Sequence, residues 1–250
     1  MTRGRLITLE GGEGAGKSTQ ARLLAAALEA AGVPVVLTRE PGGAPGAEAI
    51  RALLLGGSAA LLPGTETLLH FAARHEHVGR TIGPALDAGR WVVCDRFTDS
   101  TRAYQGFGLG VAAGTIAALD ALVGLVPDLT LVLDVPPETA ARRLAGRGRA
   151  ADRYELLDAA FHARVRAGFR TIAAEAPARC VLIDAAGSVE GVQAAILAAV
   201  RARLPVPALP PALSPALSPA LPPAPPGGAP PAAAEQAGKE KQGGAGGAPP

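Results

Sequence analysis

Up to about Leu204 the chain is punctuated by five short, continuously apolar runs: RLITLE (5–10), VPVVLTRE (33–40), RWVVCDR (90–96), DLTLVLDV (128–135) and RCVLIDA (179–185). Each is bounded by Gly, Pro or Asp, and none alternates apolar with polar, so each reads as a strand covered on both faces. Between them lie Ala/Leu/Arg-rich stretches with three-to-four spacing. In STQARLLAAALEAAG, Leu23, Leu24 and Leu28 share one helix face and Gly32 supplies the stop. Strands alternating with helices in this way predict an α/β fold: a doubly wound, five-stranded parallel sheet with helices on both faces and right-handed crossovers. Ligands in such sheets gather beyond the carboxyl ends of the strands, so chemistry is sought in the residues just after each run.

The pattern stops near Leu204. From Pro205 the chain reads PVPALPPALSPALSPALPPAPPGGAPP and on to Pro250, with no aromatic residue and a Pro-Ala-Leu quasi-repeat. Its prolines break helices and its scattered leucines bury too little surface to offset chain entropy, so 1–204 is read as the globular unit and 205–250 as a disordered Pro/Ala/Gly-rich tail. A spacer role is favoured for that tail over a PxxP ligand. The two cysteines, Cys94 and Cys180, sit inside apolar runs and form no CxxC, which points to reduced core thiols rather than a bridge or a metal site. A net charge of +2 is too small to imply a nucleic-acid or membrane-surface partner, and no run reaches the roughly 18 apolar residues of a spanning helix. Met1 to Leu9 is a charged start that flows into a strand rather than a secretory signal, so a cytoplasmic protein is expected.

Chemistry enters after the first strand. Gly11, Gly12, Glu13, Gly14, Ala15, Gly16, Lys17, Ser18 and Thr19 spell GGEGAGKST and contain GxxxxGK[ST] in its strand–loop–helix setting. Glycines let successive amides curl around phosphate oxygens, the helix N-terminus adds positive charge, Lys17 reaches the β- and γ-phosphates, and the Ser18 hydroxyl is a ligand for Mg²⁺. A P-loop NTPase fold binding MgATP or MgGTP is expected. A guanine-reading switch needs Asn-Lys-x-Asp, and the chain contains no asparagine. The single DxxG, Asp184 to Gly187, reads as a strand end and turn. A water-using ATPase keeps a second acidic residue after its metal-binding strand, whereas here Asp95 is followed by Arg96, whose fork suits a second anionic substrate.

The segments EGGEGAGKST (10–19), TREPGG (38–43), Ile50–Arg51, FAAR (71–74), DRF (95–97), YQG (104–106), PDLTLVLDV (127–135) and GRGRAADRYE (146–155) together resemble thymidylate kinase. The resemblance implies phosphorylation of dTMP to dTDP with MgATP for dTTP synthesis. It implies that Arg96 and Arg51 hold the acceptor phosphate, Asp95 lies near Mg²⁺, and Arg74 donates to a thymine carbonyl. Thr101 and Gln105 would follow the base or sugar edge, Tyr104 would pack under the deoxyribose, and Glu13 would accept from the 3′-hydroxyl. Gly14 leaves no arginine in the P-loop, so the chain is similar to members whose lid, about 143–153, supplies the cations. Arg143 would serve the nucleotide, and Arg147, Arg149 and Arg153 the transferring group, with Asp152 ordering the lid. The family's stacking phenylalanine falls on His70, a smaller and polar residue. His75 and His77 lie two apart on different helix faces and are assigned no metal.

The resemblance further implies a homodimer, and the helices carrying LLHFAAR and TIGPALDAG are apolar enough to form one. A kinase for dUMP, CMP or AMP is the near alternative; a P-loop ATPase or a nucleotide-binding regulatory module is the distant one.

Overall fold

The structure, a computed structural model, describes residues 2–56, 60–146, 153–206 and 209. Arg147, Arg149, Asp152 and nearly all of the tail lie outside the described residues.

Each of the five apolar runs forms a strand: β1 (Leu6–Glu10), β2 (Val35–Arg39), β3 (Trp91–Asp95), β4 (Leu129–Asp134) and β5 (Cys180–Asp184). They pair in the order β2-β3-β1-β4-β5, every pairing parallel. The three central strands are almost wholly buried and the two edge strands only partly, as expected when helices cover both faces.

Side-chain alternation along β1 assigns the two faces. Ile7 and Leu9 pack with α1 (Lys17–Ala30) and α9 (Val189–Arg203), joining Leu24, Leu28, Ile196 and Val200 in the largest core cluster. Leu6 faces the opposite layer, where Ile82 and Leu86 of the segment around α4 (Gly83–Asp87) meet Val92, Cys94 and Phe97. Further along that layer, α8 (Ala159–Glu175) packs Phe161, Val165, Phe169 and Ile172 against Val132, Ala103 and Tyr104. Leu23, Leu24 and Leu28 are fully buried, and Gly32, at φ 78, follows the end of α1. Both cysteines are free and buried.

Two helices differ from the expectation. After α3 (Pro63–His77) the chain runs through a π-helical segment, Val78–Ile82, straight into α4. After the short α5 (Thr98–Thr101), residues Arg102–Gly108 form a second π-helical segment that carries YQG. The wider turn has no single-residue sequence signature. The helix pair proposed as an interface also divides. Leu68 of LLHFAAR is exposed, but Ile82 and Leu86 of TIGPALDAG are buried against the sheet and face no partner. The remaining helices are α2 (Pro45–Gly56), α6 (Ala113–Val123) and α7 (Pro137–Ala145). Beyond the end of α9, Leu209 is buried in the main core and its carbonyl accepts from Arg201.

Candidate active site

Glu10 ends β1, and the chain then turns through Gly11–Gly16 into α1. Gly11 has φ 134, and a Cβ there would stand 2.4 Å from the Leu133 carbonyl oxygen of β4. At Gly14, φ 73, a Cβ would meet the Ala140 carbonyl oxygen of α7 at 2.6 Å, so the loop has no room for an arginine at this position. Lys17 Nζ folds back to donate to the carbonyls of Gly11 (3.0 Å) and Gly12 (2.7 Å). Burial, with Arg96 nearby, lowers its pKa to about 8.

Asp95, at the end of β3, accepts from the Ser18 hydroxyl through Oδ2 at 2.5 Å, while its buried Oδ1 has no hydrogen-bond partner among the described residues. An unsatisfied carboxylate oxygen beside a hydroxyl at the head of the P-loop helix is the donor set of a hard cation, so these residues fit Mg²⁺.

Arg96 follows in the left-handed region, φ 74, with its amide donating to the Leu9 carbonyl. Its guanidinium donates to Gly11 O (3.2 Å), Ser100 Oγ (3.1 Å), Tyr104 Oη (3.1 Å) and Glu13 Oε1 (2.5 Å), and it lies over the Tyr104 ring. Burial alone would lower its pKa; Glu13, Tyr104 and Asp95 outweigh that and raise it. Behind it, Glu10 accepts from the Phe97 and Ser100 amides and the Ser100 hydroxyl, and burial raises its pKa to about 8.

The acceptor side of the same cavity, about 170 Å³, is lined by Arg51, His70, Arg74, Thr101, Tyr104 and Gln105 together with Tyr154. Every described substrate-side residue named from the sequence is therefore in one cavity with Lys17, Ser18, Asp95 and Arg96. Arg51 donates to the Pro41 carbonyl at 2.6 Å. Arg74 is 2% exposed: Nε donates to Glu40 (2.7 Å), Nη2 to Thr101 Oγ1 (3.2 Å), and Nη1 has no partner among the described residues. His77 holds Glu40 from behind at 3.0 Å and Thr38 at 2.8 Å. His70 approaches Tyr154 Oη at 3.0 Å, and burial together with the surrounding arginines lowers its pKa to about 3, so the imidazole is neutral.

Two lid arginines have partners outside the P-loop in this structure. Arg143 donates to the Gly187 carbonyl at 3.0 Å, in the turn after β5, and Arg153 pairs with Glu66 at 2.8 Å and stands over the Tyr154 ring. Glu66, Tyr154 and Glu40 are the residues that sequence reasoning missed. One signal was present for Glu66: it precedes His70 by four residues, as His70 precedes Arg74, which puts all three on one face of α3.

The thymidylate kinase family model matches residues 9–196, a span that includes the P-loop, the Asp95–Arg96 pair and the lid. The chain belongs to the thymidylate kinase family. It is 54% identical over 209 residues to the thymidylate kinase of Rhodopseudomonas palustris, covering 81% of this chain and 91% of that one. It is 55% identical over 207 residues to that of Caulobacter vibrioides, covering 82% and 99%. A crystal structure of thymidylate kinase from Ehrlichia chaffeensis superposes with a TM-score of 0.65 at 37% identity over 79% of this chain and 99% of that one. Membership makes the protein an ATP-dependent nucleoside monophosphate kinase. Among the described residues no helix is long and apolar enough to cross a membrane.

Proposed function

We propose that the protein transfers the γ-phosphoryl group of ATP, with Mg²⁺, to dTMP, giving dTDP and ADP. The observation that carries this reading is one cavity lined at one end by Lys17, Ser18 and Asp95 and at the other by Arg74, Thr101 and Gln105, with Arg96 between them. The attacking phosphate oxygen is already anionic, so no general base is needed and catalysis is positioning and charge neutralisation. Lys17 leaves the Gly11 and Gly12 carbonyls for the donor's β- and γ-phosphates. Ser18 and Asp95 would hold Mg²⁺, which when bound neutralises charge on the donor phosphates. Arg96 and Arg51 hold the acceptor phosphate, Tyr104 lies under the sugar, Glu13 accepts from the 3′-hydroxyl, and His70 faces the base. Arg74, with Nη1 unpartnered, donates to the base carbonyl. Arg143 serves the nucleotide and the lid arginines Arg147, Arg149 and Arg153 the transferring group; Arg153 must exchange Glu66 for phosphate to do so.

The test is ADP release from MgATP with dTMP, dUMP, ribo-TMP, CMP and AMP offered singly beside an acceptor-free control. Strong preference for dTMP is the expected result; release without acceptor would overturn the kinase reading.

We further propose a homodimer in the cytoplasm, where Cys94 and Cys180 stay reduced. Adjacent helices α2, α3 and α6 expose Leu53 (51%), Leu68 (58%) and Leu122 (74%), and only Ile116 of α6 is buried. Light scattering should give twice the chain mass, and Leu68→Glu should halve it; a monomeric wild type would refute the dimer.

A further inference from the structure

Glu66 is fully buried on α3, and the hydrogen bonds around it form a chain whose direction can be followed atom by atom. Gln105 Nε2 donates to Glu66 Oε1 at 2.6 Å and to Tyr154 Oη at 3.1 Å. Tyr154 Oη donates to the same Glu66 oxygen at 2.5 Å, and His70 Nε2 lies 3.0 Å from Tyr154 Oη. Arg153 supplies a countercharge at the other carboxylate oxygen, 2.8 Å away. A carboxylate only accepts, and a tyrosine hydroxyl has one proton to give. With that proton on Glu66, Tyr154 accepts from its other neighbours, so His70 carries its proton on Nε2. Gln105 for its part must turn its amide nitrogen toward the carboxylate.

The consequence falls on the cavity that Gln105 lines. Its amide nitrogen is committed, so the polar atom it retains for a ligand is the acceptor Oε1. On the same cavity Arg74, whose Nη2 donates to Thr101 four residues before Gln105, retains the donor Nη1. A donor next to an acceptor complements the C4 carbonyl and N3–H of an imide base. A 4-amino pyrimidine offers the inverse pair at the same atoms and leaves both protein groups buried against like partners.

We propose that Glu66 is the positioning residue that sets the hydrogen-bond polarity of the base pocket, selecting 4-oxo over 4-amino pyrimidine nucleotides by orienting the Gln105 amide. The inference rests on the proposed base pocket and deepens it.

Two measurements test it. In turnover with MgATP, dTMP, dUMP and 5-methyl-dCMP are compared for the wild type and Glu66→Gln, whose amide can donate or accept and so releases Gln105 to flip. The expected result is a fall of about tenfold or more in the kcat/KM ratio of dTMP to 5-methyl-dCMP, with the dTMP to dUMP ratio held, because both of those bases are imides. Glu66→Gln that loses activity on all three acceptors equally, or leaves both ratios unchanged, would reduce Glu66 to a structural role. A wild type that prefers 5-methyl-dCMP would overturn the base-pocket reading as well. The second measurement needs no variant: nitrogen-15 shifts of His70 in the wild-type protein should show the proton on Nε2. A proton on Nδ1 would mean that Tyr154 donates to His70 rather than to Glu66, and would overturn the proposal.

Discussion

Arg96 combines a left-handed backbone with a side chain proposed to grip the acceptor, and replacing it by alanine or by glycine separates the two. At φ 74 any residue with a Cβ costs about 1–2 kcal/mol relative to the right-handed region. Both variants lose the four guanidinium hydrogen bonds, to Gly11, Ser100, Tyr104 and Glu13. Only alanine keeps the strain. Glycine relieves it but adds about 0.5–1 kcal/mol of unfolded-chain entropy, which leaves Arg96→Gly ahead of Arg96→Ala by about 0.5–1 kcal/mol. For a domain of this size that corresponds to roughly 1–4 °C in calorimetric midpoint. Turnover with dTMP should fall by at least about 10² in both, since each removes the same donors to a developing anion.

The nucleotide side refines this expectation. Arg96 is assigned to the acceptor, yet its guanidinium bonds Gly11 and Glu13 of the P-loop, so ATP affinity should weaken too, by less than dTMP affinity. Calorimetric melting and equilibrium binding of each nucleotide check both points. An Arg96→Ala midpoint at or above that of Arg96→Gly would refute the strain argument, and equal loss of ATP and dTMP affinity would refute the assignment of Arg96 to the acceptor.

Asp95→Asn keeps the Ser18 contact but removes charge from the proposed Mg²⁺ ligand set, so the Mg²⁺ concentration needed for half-maximal turnover should rise; an unchanged requirement would move the metal elsewhere. Burial pushes Glu10 up to about 8 from its ordinary 4.5, so protonation favours the folded state: the stability this group contributes is fully present below about pH 4.5 and lost as pH rises through about 8. Glu10→Gln, neutral throughout, should flatten the melting midpoint over that interval, and a retained slope there would assign the dependence to another group.

The strands were legible because continuous apolar runs of this length have few alternatives once Gly, Pro and Asp bound them, and their alternation with helices implied parallel pairing, whereas the order β2-β3-β1-β4-β5 was not written in the pattern. The P-loop was legible because its function needs glycines, a lysine and a hydroxyl at fixed short spacing. Arg96 was marked by following Asp95 at the end of its strand, but Arg51, Arg74 and Gln105 could be named only through family resemblance, since each reaches the cavity from a different part of the chain. What the sequence did not display was the support behind them. Glu40 meets Arg74 and His77 across more than thirty positions, and Tyr154 meets Glu66 across 88, distances over which no periodicity carries information. The π-helical segment at Arg102–Gly108 was equally hidden, although it determines how Tyr104 and Gln105 enter the cavity.

That support explains why donor and acceptor sites are not independent here. Glu13 belongs to the P-loop, but its oxygen accepts from Arg96 and from the Tyr104 hydroxyl at 2.9 Å, both on the acceptor side. A monophosphate held by Arg96 must share or displace Glu13, and whatever moves Glu13 acts on the loop whose carbonyls hold Lys17. Ser100 passes the same contact back to Glu10 at the end of the central strand, so the Arg96 guanidinium is braced from β1, from α5 and from the P-loop at once. Coupling between two ligands is reciprocal in free energy. The factor by which dTMP changes ATP affinity therefore equals the factor by which ATP changes dTMP affinity, and if Arg96 and Glu13 carry the coupling both should shrink toward one in Glu13→Gln; a factor unchanged in that variant would assign the coupling to other residues.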